Sequence, residues 1–207
     1  MDTYPRRVGE SILPLSVGGT LPEAFEEWFF TEKVMDHEHP TEICELCGKE
    51  ETRYHFEIEN ELTHKKLWVG SHCILQFNVP VYNEGLRLTP LGSKRKLEKL
   101  TEKMRLEACI RALERLSAAE NNEILRNALE YYKRRKKLTP RFAFVVFWRL
   151  QHNKIDHSPS FFSIDLKRKK YQSDLEEMPT ERVHFFWKAL TTSQRQMAID
   201  MDHKPPR

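Results

Sequence analysis

Hydrophobic spacing along the chain changes period near residue 93. Downstream, Leu97, Leu100, Met104, Ala108, Leu113 and Leu116 recur at steps of three and four among charged residues, which predicts a long amphipathic helix from about Ser93. Asn121-Asn122 breaks it. A second helix gathers Ile124, Leu125, Ala128, Leu129 and Tyr132 on one face and finishes in a run of five basic residues. Thr139-Pro140 opens a third, whose FAFVVFW segment is apolar around most of its circumference, as expected of a buried central helix. Between residues 160 and 178 the pattern is ambiguous: SFFSIDL fits strand or helix, while LKRKKYQSDLEEM fits a helix. Pro179 starts a further helix over TERVHFFWKAL, Thr191 and Gln194 form a capping box for the last one, and HKPPR is expected to fray.

Upstream the period is two. Tyr54, Phe56 and Ile58 alternate with Arg53, His55, Glu57 and Glu59, which predicts a strand with one covered face. Residues 60–63 can turn the chain and Lys66–Val69 returns it, placing His55 opposite Val69. Ser71 can cap a short helix that stops before Pro80. Thr20 and Glu23 read as a capping box for another short helix through about Phe30, with Ala24, Phe25, Trp28 and Phe29 on one side. Residues 1–19 contain Pro5, Pro14 and Gly18-Gly19 and read as an irregular arm. The predicted class is α+β, with a small β-hairpin module over residues 20–92 followed by a mainly helical domain over 93–207.

Composition narrows the picture. Of 207 residues, 39% are hydrophobic and 11% aromatic, which is enough for a core and excludes global disorder. No run approaches the ~18 apolar residues of a membrane span, and the start lacks the basic-then-apolar pattern of a secretory leader. A soluble, cytoplasmic protein without a membrane partner is the expectation. The net charge of +3 hides a gradient: residues 1–93 carry 16 acidic and 8 basic side chains, residues 94–207 carry 15 and 26. The second half can therefore present a basic face.

The candidate chemistry lies in ICELCGKEETRYHFEIENELTHKKLWVGSHCILQF, residues 43–77. Cys44 and Cys47 form a Cys-x-x-Cys turn, which in an intracellular chain points to metal before disulfide. Gly48 can take the left-handed conformation that turns backbone N–H groups toward the sulfurs. Cys73 follows after the hairpin, at the start of a short helix. Zinc prefers four tetrahedral ligands and binds thiolate well, so Cys44, Cys47 and Cys73 are the expected zinc ligands, with a histidine as fourth. His55 ranks first for that place, at the end of the hairpin where the chain returns to Cys73; His72 ranks second and His39 third. Cys109 lies in a helical pattern and reads as a core residue. A redox pair at Cys44 and Cys47 is disfavoured because Gly48 and a strand follow it, where redox motifs begin a helix.

CELCG, a hairpin and GSHCI in that order resemble a treble-clef zinc finger, over about 35 of 207 residues. In treble clefs the helix start commonly supplies two ligands three positions apart, and the second of those positions is Gln76 here, a departure from the family pattern that bears on the fourth ligand more than on zinc itself. The same stretch is similar to a pattern in small, mostly uncharacterised proteins of bacteria, phages and mobile elements. That resemblance implies a prokaryotic accessory protein and brings no defined activity with it.

A zinc hairpin beside basic helices suggests nucleic-acid binding, because Lys and Arg neutralise phosphates and release counterions. The candidate contacts are Lys94, Arg95 and Lys96; Lys133, Arg134, Arg135, Lys136 and Lys137; and Lys167, Arg168, Lys169 and Lys170. Each run also suits a solvated face, and the second suits a helix C-terminus, where carbonyl ends favour cations. The expected function is a non-enzymatic, zinc-stabilised, nucleic-acid-associated accessory protein, with DNA ranked ahead of RNA and no small-molecule substrate. The alternative is a protein-protein adaptor or inhibitor, with Trp68 as an exposed anchor on the second strand. A His-Asn-His-type nuclease ranks third: Asp36-His37-Glu38-His39-Pro40 adjoins the knuckle, but it precedes the Cys pair where that class places its Asp-His after it. Three cysteines with a water, and Glu45 or Glu57 as proton shuttle, would make a catalytic zinc, a less favoured arrangement because thiolate-rich sites are more often structural.

Overall fold

The computed structural model describes residues 4–206, which fall into two compact units with their boundary between Met104 and Arg105. That boundary lies inside a helix that runs unbroken over Pro90–Ala119. The architecture is α+β: a small antiparallel sheet with short helices in the first unit, and helices in the second.

The first unit opens with helix α1, Tyr4–Ile12, and a turn of 3-10 helix over Leu13–Leu15, where an irregular arm was expected. Pro5 sits in the first turn, where its missing N–H costs nothing, and Val8 and Ile12 lie one turn apart and are buried. Helix α2, Leu21–Glu26, has the expected Thr20/Glu23 capping box but stops before Phe30. Glu27 caps it from outside, and its carboxylate accepts from Val17 N–H at 2.9 Å and Asn60 Nδ2 at 2.8 Å. Strand β1, Trp28–Asp36, then takes the aromatics assigned to a helical stripe. Trp28 and Phe30 are buried and Phe29 is half-buried, the alternation of a strand.

Strands β2, Tyr54–Asn60, and β3, Lys66–Gly70, complete a sheet in the order β1-β2-β3. The register differs by one from the sequence expectation: His55 pairs with Gly70 and Phe56 with Val69. The turn accounts for the extra residue, since Asn60 Oδ1 accepts from both Leu62 N–H at 2.8 Å and Thr63 N–H at 2.9 Å and sets a longer loop. The helix after β3, α3, covers Ser71–Gln76. A two-stranded ribbon, β4 Tyr82–Asn83 and β5 Leu86–Arg87, leads to the long helix α4, Pro90–Ala119.

β1 bulges between Phe30 and Val34, which pair with Ile58 and Phe56, and Glu32 there has φ 68°. The bulge directs Lys33 onto Glu57, a carboxylate 5% exposed, at 3.1 Å, while Lys66 approaches from β3 at 3.6 Å. Burial alone would raise the Glu57 pKa, but Lys33, Thr31 and Lys66 together bring it below the ordinary carboxylate value.

The second unit is built on one core cluster. Helix α5, Glu123–Arg135, starts at Asn122, whose side chain accepts from Leu125 N–H, and ends at Lys136 in the left-handed region. Helix α6, Pro140–His152, buries Ala143, Val146, Phe147 and Leu150, as expected of a central helix. A 3-10 turn at Pro159–Phe161 resolves the ambiguous segment, and Leu138 forms a parallel bridge with Ile164. Helices α7, Lys169–Glu176, α8, Thr180–His184, and α9, Thr192–Asp200, close the core, α9 behind the expected Thr191/Gln194 capping box. Two expectations fail here. Ile124 is 61% exposed rather than on the core stripe, and the tail is anchored through His203, which is buried with Nε2 on Leu175 O at 2.8 Å and Nδ1 on Thr180 Oγ1 at 3.1 Å.

Phe147, 2% exposed among the helices of the second unit, leaves a cavity when truncated. Phe147→Ala is expected to lower unfolding free energy by about 3–5 kcal/mol in urea titrations. The Glu57 carboxylate contributes stability that is present above its unfolded pKa and lost as pH falls through the lower folded value. Glu57→Gln is therefore expected to lower the melting temperature at neutral pH, with the difference from wild type shrinking as pH drops below about 4.

Candidate metal centre

The knuckle is made by backbone geometry. Gly48 N–H donates to Cys44 O at 2.8 Å and Cys44 N–H to Lys49 O at 2.9 Å, with Gly48 at φ +69° as its turn requires. This loop lies along the outer edge of β3. Glu45 N–H donates to Trp68 O at 3.0 Å, Trp68 N–H donates to Glu45 Oε2 at 2.5 Å, and Gly70 N–H donates to Cys44 Sγ at 3.2 Å. A strand edge that would otherwise present unpaired donors and acceptors is thereby covered. The approach is close at Gly70: a Cβ there would stand 3.1 Å from Thr52 Cγ2, which would have to give by a few tenths of an ångström, and 3.6 Å from Cys44 Cβ.

From the other side, α3 brings Cys73 onto the knuckle. The Sγ atoms of Cys44 and Cys73 are 3.6 Å apart, and those of Cys44, Cys47 and Cys73 all lie within 4.8 Å of one another. All three residues are buried and carry free thiols. The Cys73 thiol beside Cys44 lowers its pKa, against burial and with help from the Gly70, Cys47 and Leu46 backbone, to about 5. Three soft sulfurs in such a triangle can bind a metal ion, and the expected trio of ligands is assembled. Among the described residues this is the one group of three or more His, Cys, Asp or Glu so arranged.

None of the ranked histidines joins that group. His55 is buried on β2 with Nδ1 3.2 Å from Nε2 of His37, and its Nε2 has no hydrogen-bond partner. Burial, then the neighbouring His37, lowers its pKa and keeps the ring neutral. His39 is exposed on the loop after β1. His72, exposed in the first turn of α3, lines an open cavity of about 210 Å³ together with the three cysteines, Lys49, Glu51, Arg53 and Tyr54. Asp36 of the nuclease-like stretch is paired with Arg53, Nε to Oδ1 at 2.7 Å. Trp68 is half-buried, its ring 6.4 Å from that of His55. Cys109 is buried in the second unit, and burial pushes its thiol up to about 12, the inert state expected of a core cysteine.

The basic runs fare unequally. Lys94 and Arg95 are exposed on α4, but Lys96 is held by Glu32 at 2.5 Å and by Tyr82 O at 3.0 Å. Lys133 pairs with Glu114 at 2.5 Å, and Arg134 and Lys136 contact their own helix, Arg134 through Glu130 O and Lys136 over the Tyr132 ring. Arg135 and Lys137 complete that run, exposed and half-buried respectively. In α5, Tyr131 meets Tyr171 of α7, hydroxyl to hydroxyl at 3.2 Å, and thus joins the helix ending in the second run to the helix that begins within the third. Arg168 lies over the Tyr171 ring at 5.7 Å. Lys167, Lys169 and Lys170 are exposed and pair with no carboxylate among the described residues. Sequence reasoning found both runs but not the tyrosine contact between them, which only tertiary packing produces.

No family model, curated protein or solved structure matches the chain. No helix among the described residues is long and apolar enough to cross a membrane.

Cys73→Ser should separate α3 from the knuckle. The expected result is loss of stoichiometric metal by elemental analysis and a lower melting temperature, whereas Cys109→Ser should leave metal content unchanged.

Proposed function

We propose that this is a non-enzymatic protein in which zinc, held by Cys44, Cys47 and Cys73, stabilises the hairpin unit while the second unit binds nucleic acid through its phosphates. Zinc suits three clustered thiolates, and a structural ion suits a segment too small to enclose a large core. The observation that supports the nucleic-acid reading is the Tyr131–Tyr171 contact, which joins the helix ending in one basic run to the helix that begins within the next, with Arg168 over the Tyr171 ring. Lysines without carboxylate partners are the ones available to phosphates.

Binding is tested by fluorescence anisotropy with duplex DNA, single-stranded DNA and RNA across a salt series. The combined variant Arg135→Glu, Lys137→Glu, Lys169→Glu, Lys170→Glu is expected to weaken binding at least about tenfold and to flatten the salt dependence, by a slope of about 0.9 for each duplex phosphate no longer neutralised. Lys94→Glu with Arg95→Glu serves as the control. No binding at low salt, or binding unaffected by the four reversals, removes the proposal.

A second reading, docking of a protein partner, has one observation in its favour. Ile124 is exposed and lines a groove with Phe144, Val145, Met178 and Pro179, flanked by Arg141, Arg182, Asp174 and Glu177. Binding of that kind would persist at high salt.

A further inference from the structure

We propose that Cys44 and Cys73 are the site of a reversible oxidative cross-link, in which a peroxide converts the two thiols to a disulfide that fastens α3 to the knuckle. The cross-link stands on the sulfur geometry alone, and only its competition with an ion rests on the metal reading. The two Sγ atoms are 3.6 Å apart, already in contact, and a disulfide asks for about 2.05 Å. Backbone contacts hold both residues in place: Gly70 N–H donates to Cys44 Sγ at 3.2 Å, Cys44 N–H donates to Lys49 O at 2.9 Å, and Phe77 N–H donates to Cys73 O at 3.1 Å.

Cys47 is the sulfur left over. It is 5% exposed against 1% for each of the others, so the two most deeply buried sulfurs are the pair in contact. A Cys44–Cys47 disulfide would also join positions that the knuckle already ties through Gly48 N–H and Cys44 O. Cys44 and Cys73 lie 29 positions apart in sequence, and a longer closed loop restricts the unfolded chain more. Access comes through the open cavity of about 210 Å³ that all three cysteines line, ample for a peroxide when about 10–15 Å³ of such space holds a water.

The chemistry balances whichever sulfur reacts first. One thiolate attacks a peroxide oxygen, the O–O bond breaks, and hydroxide leaves behind a sulfenic acid. The second sulfur attacks the first, the S–S bond forms, the S–O bond breaks, and a second hydroxide leaves. With the two thiol protons the hydroxides become two waters; the sulfurs have lost two electrons and the peroxide has gained them. A metal uses the same thiolate lone pairs, so ion and disulfide are alternative ways of tying α3 to the knuckle.

The test treats the full chain, reduced and stripped of metal by a chelator, with one equivalent of hydrogen peroxide, then maps thiols by alkylation and mass spectrometry without reductant. The expected result is loss of two of the four thiols, a peptide joining Cys44 to Cys73 within one chain, and reversal by dithiothreitol. Cys47→Ser is expected to form the same cross-link, and oxidised wild type to melt above the reduced, metal-free protein. A disulfide through Cys47, a link between chains, or sulfinic acid without disulfide overturns the proposal, as does a cross-linked form that melts no higher than the reduced one. Should Cys47→Ser fail to fold, the wild-type peptide map decides. A second arm adds peroxide to zinc-loaded chain with a zinc indicator: one zinc released per cross-link supports the competition, and zinc retained by cross-linked protein defeats it. A chain that takes up no zinc sinks the metal reading, a distinct result, and the peptide map still judges the cross-link.

Discussion

Three thiol sulfurs within 4.8 Å of one another are a demanding arrangement, because thiolates repel and buried charge must be compensated. The first unit is organised around meeting that demand. The knuckle and the head of α3 lie far apart in sequence, and the hairpin between them has the span to bring them back together. Backbone N–H groups turn toward the sulfur of Cys44, and Gly70 has no side chain to hold the knuckle away. A cation bound at the triangle would compensate the charge that the backbone dipoles meet only in part.

The second unit needs no such device. Its core is a continuous cluster from Cys109 to Ala198, and α6 supplies four buried residues within three turns. Polar side chains then finish the ends: Asn122, Thr139 and Thr191 cap helices, and His203 ties the tail to Leu175 and Thr180. The two halves thus reach stability by different routes, one with a cysteine-bearing knuckle that covers a strand edge, the other through apolar burial.

Where a residue's role depends on its near neighbours, the sequence was legible. The α5 and α6 boundaries, the capping boxes at Thr20 and Thr191, the hairpin strands and the three cysteines follow from spacing and local chemistry. What escaped depended on distant partners. β1 looked helical because Trp28 and Phe29 follow a true capping box, and only pairing with β2 extends them. α1 hid behind Pro5, though Val8 and Ile12 were a readable one-turn pair. The register of His55 turned on two hydrogen bonds to Asn60, and a shift of one residue set its partner as Gly70 rather than Val69. Ile124 fits the helical stripe by spacing, yet no neighbouring element covers its position.

Coverage of the β3 edge has one further consequence. The loop that contributes two sulfurs is also the lid over Trp68 and Gly70, so one event that frees the loop uncovers a row of unpaired backbone groups on a strand rich in apolar residues. Such an edge templates pairing with another chain. Release of the loop would then be felt first as self-association into sheet-like aggregates, and the small loop acts as a guard against polymerisation.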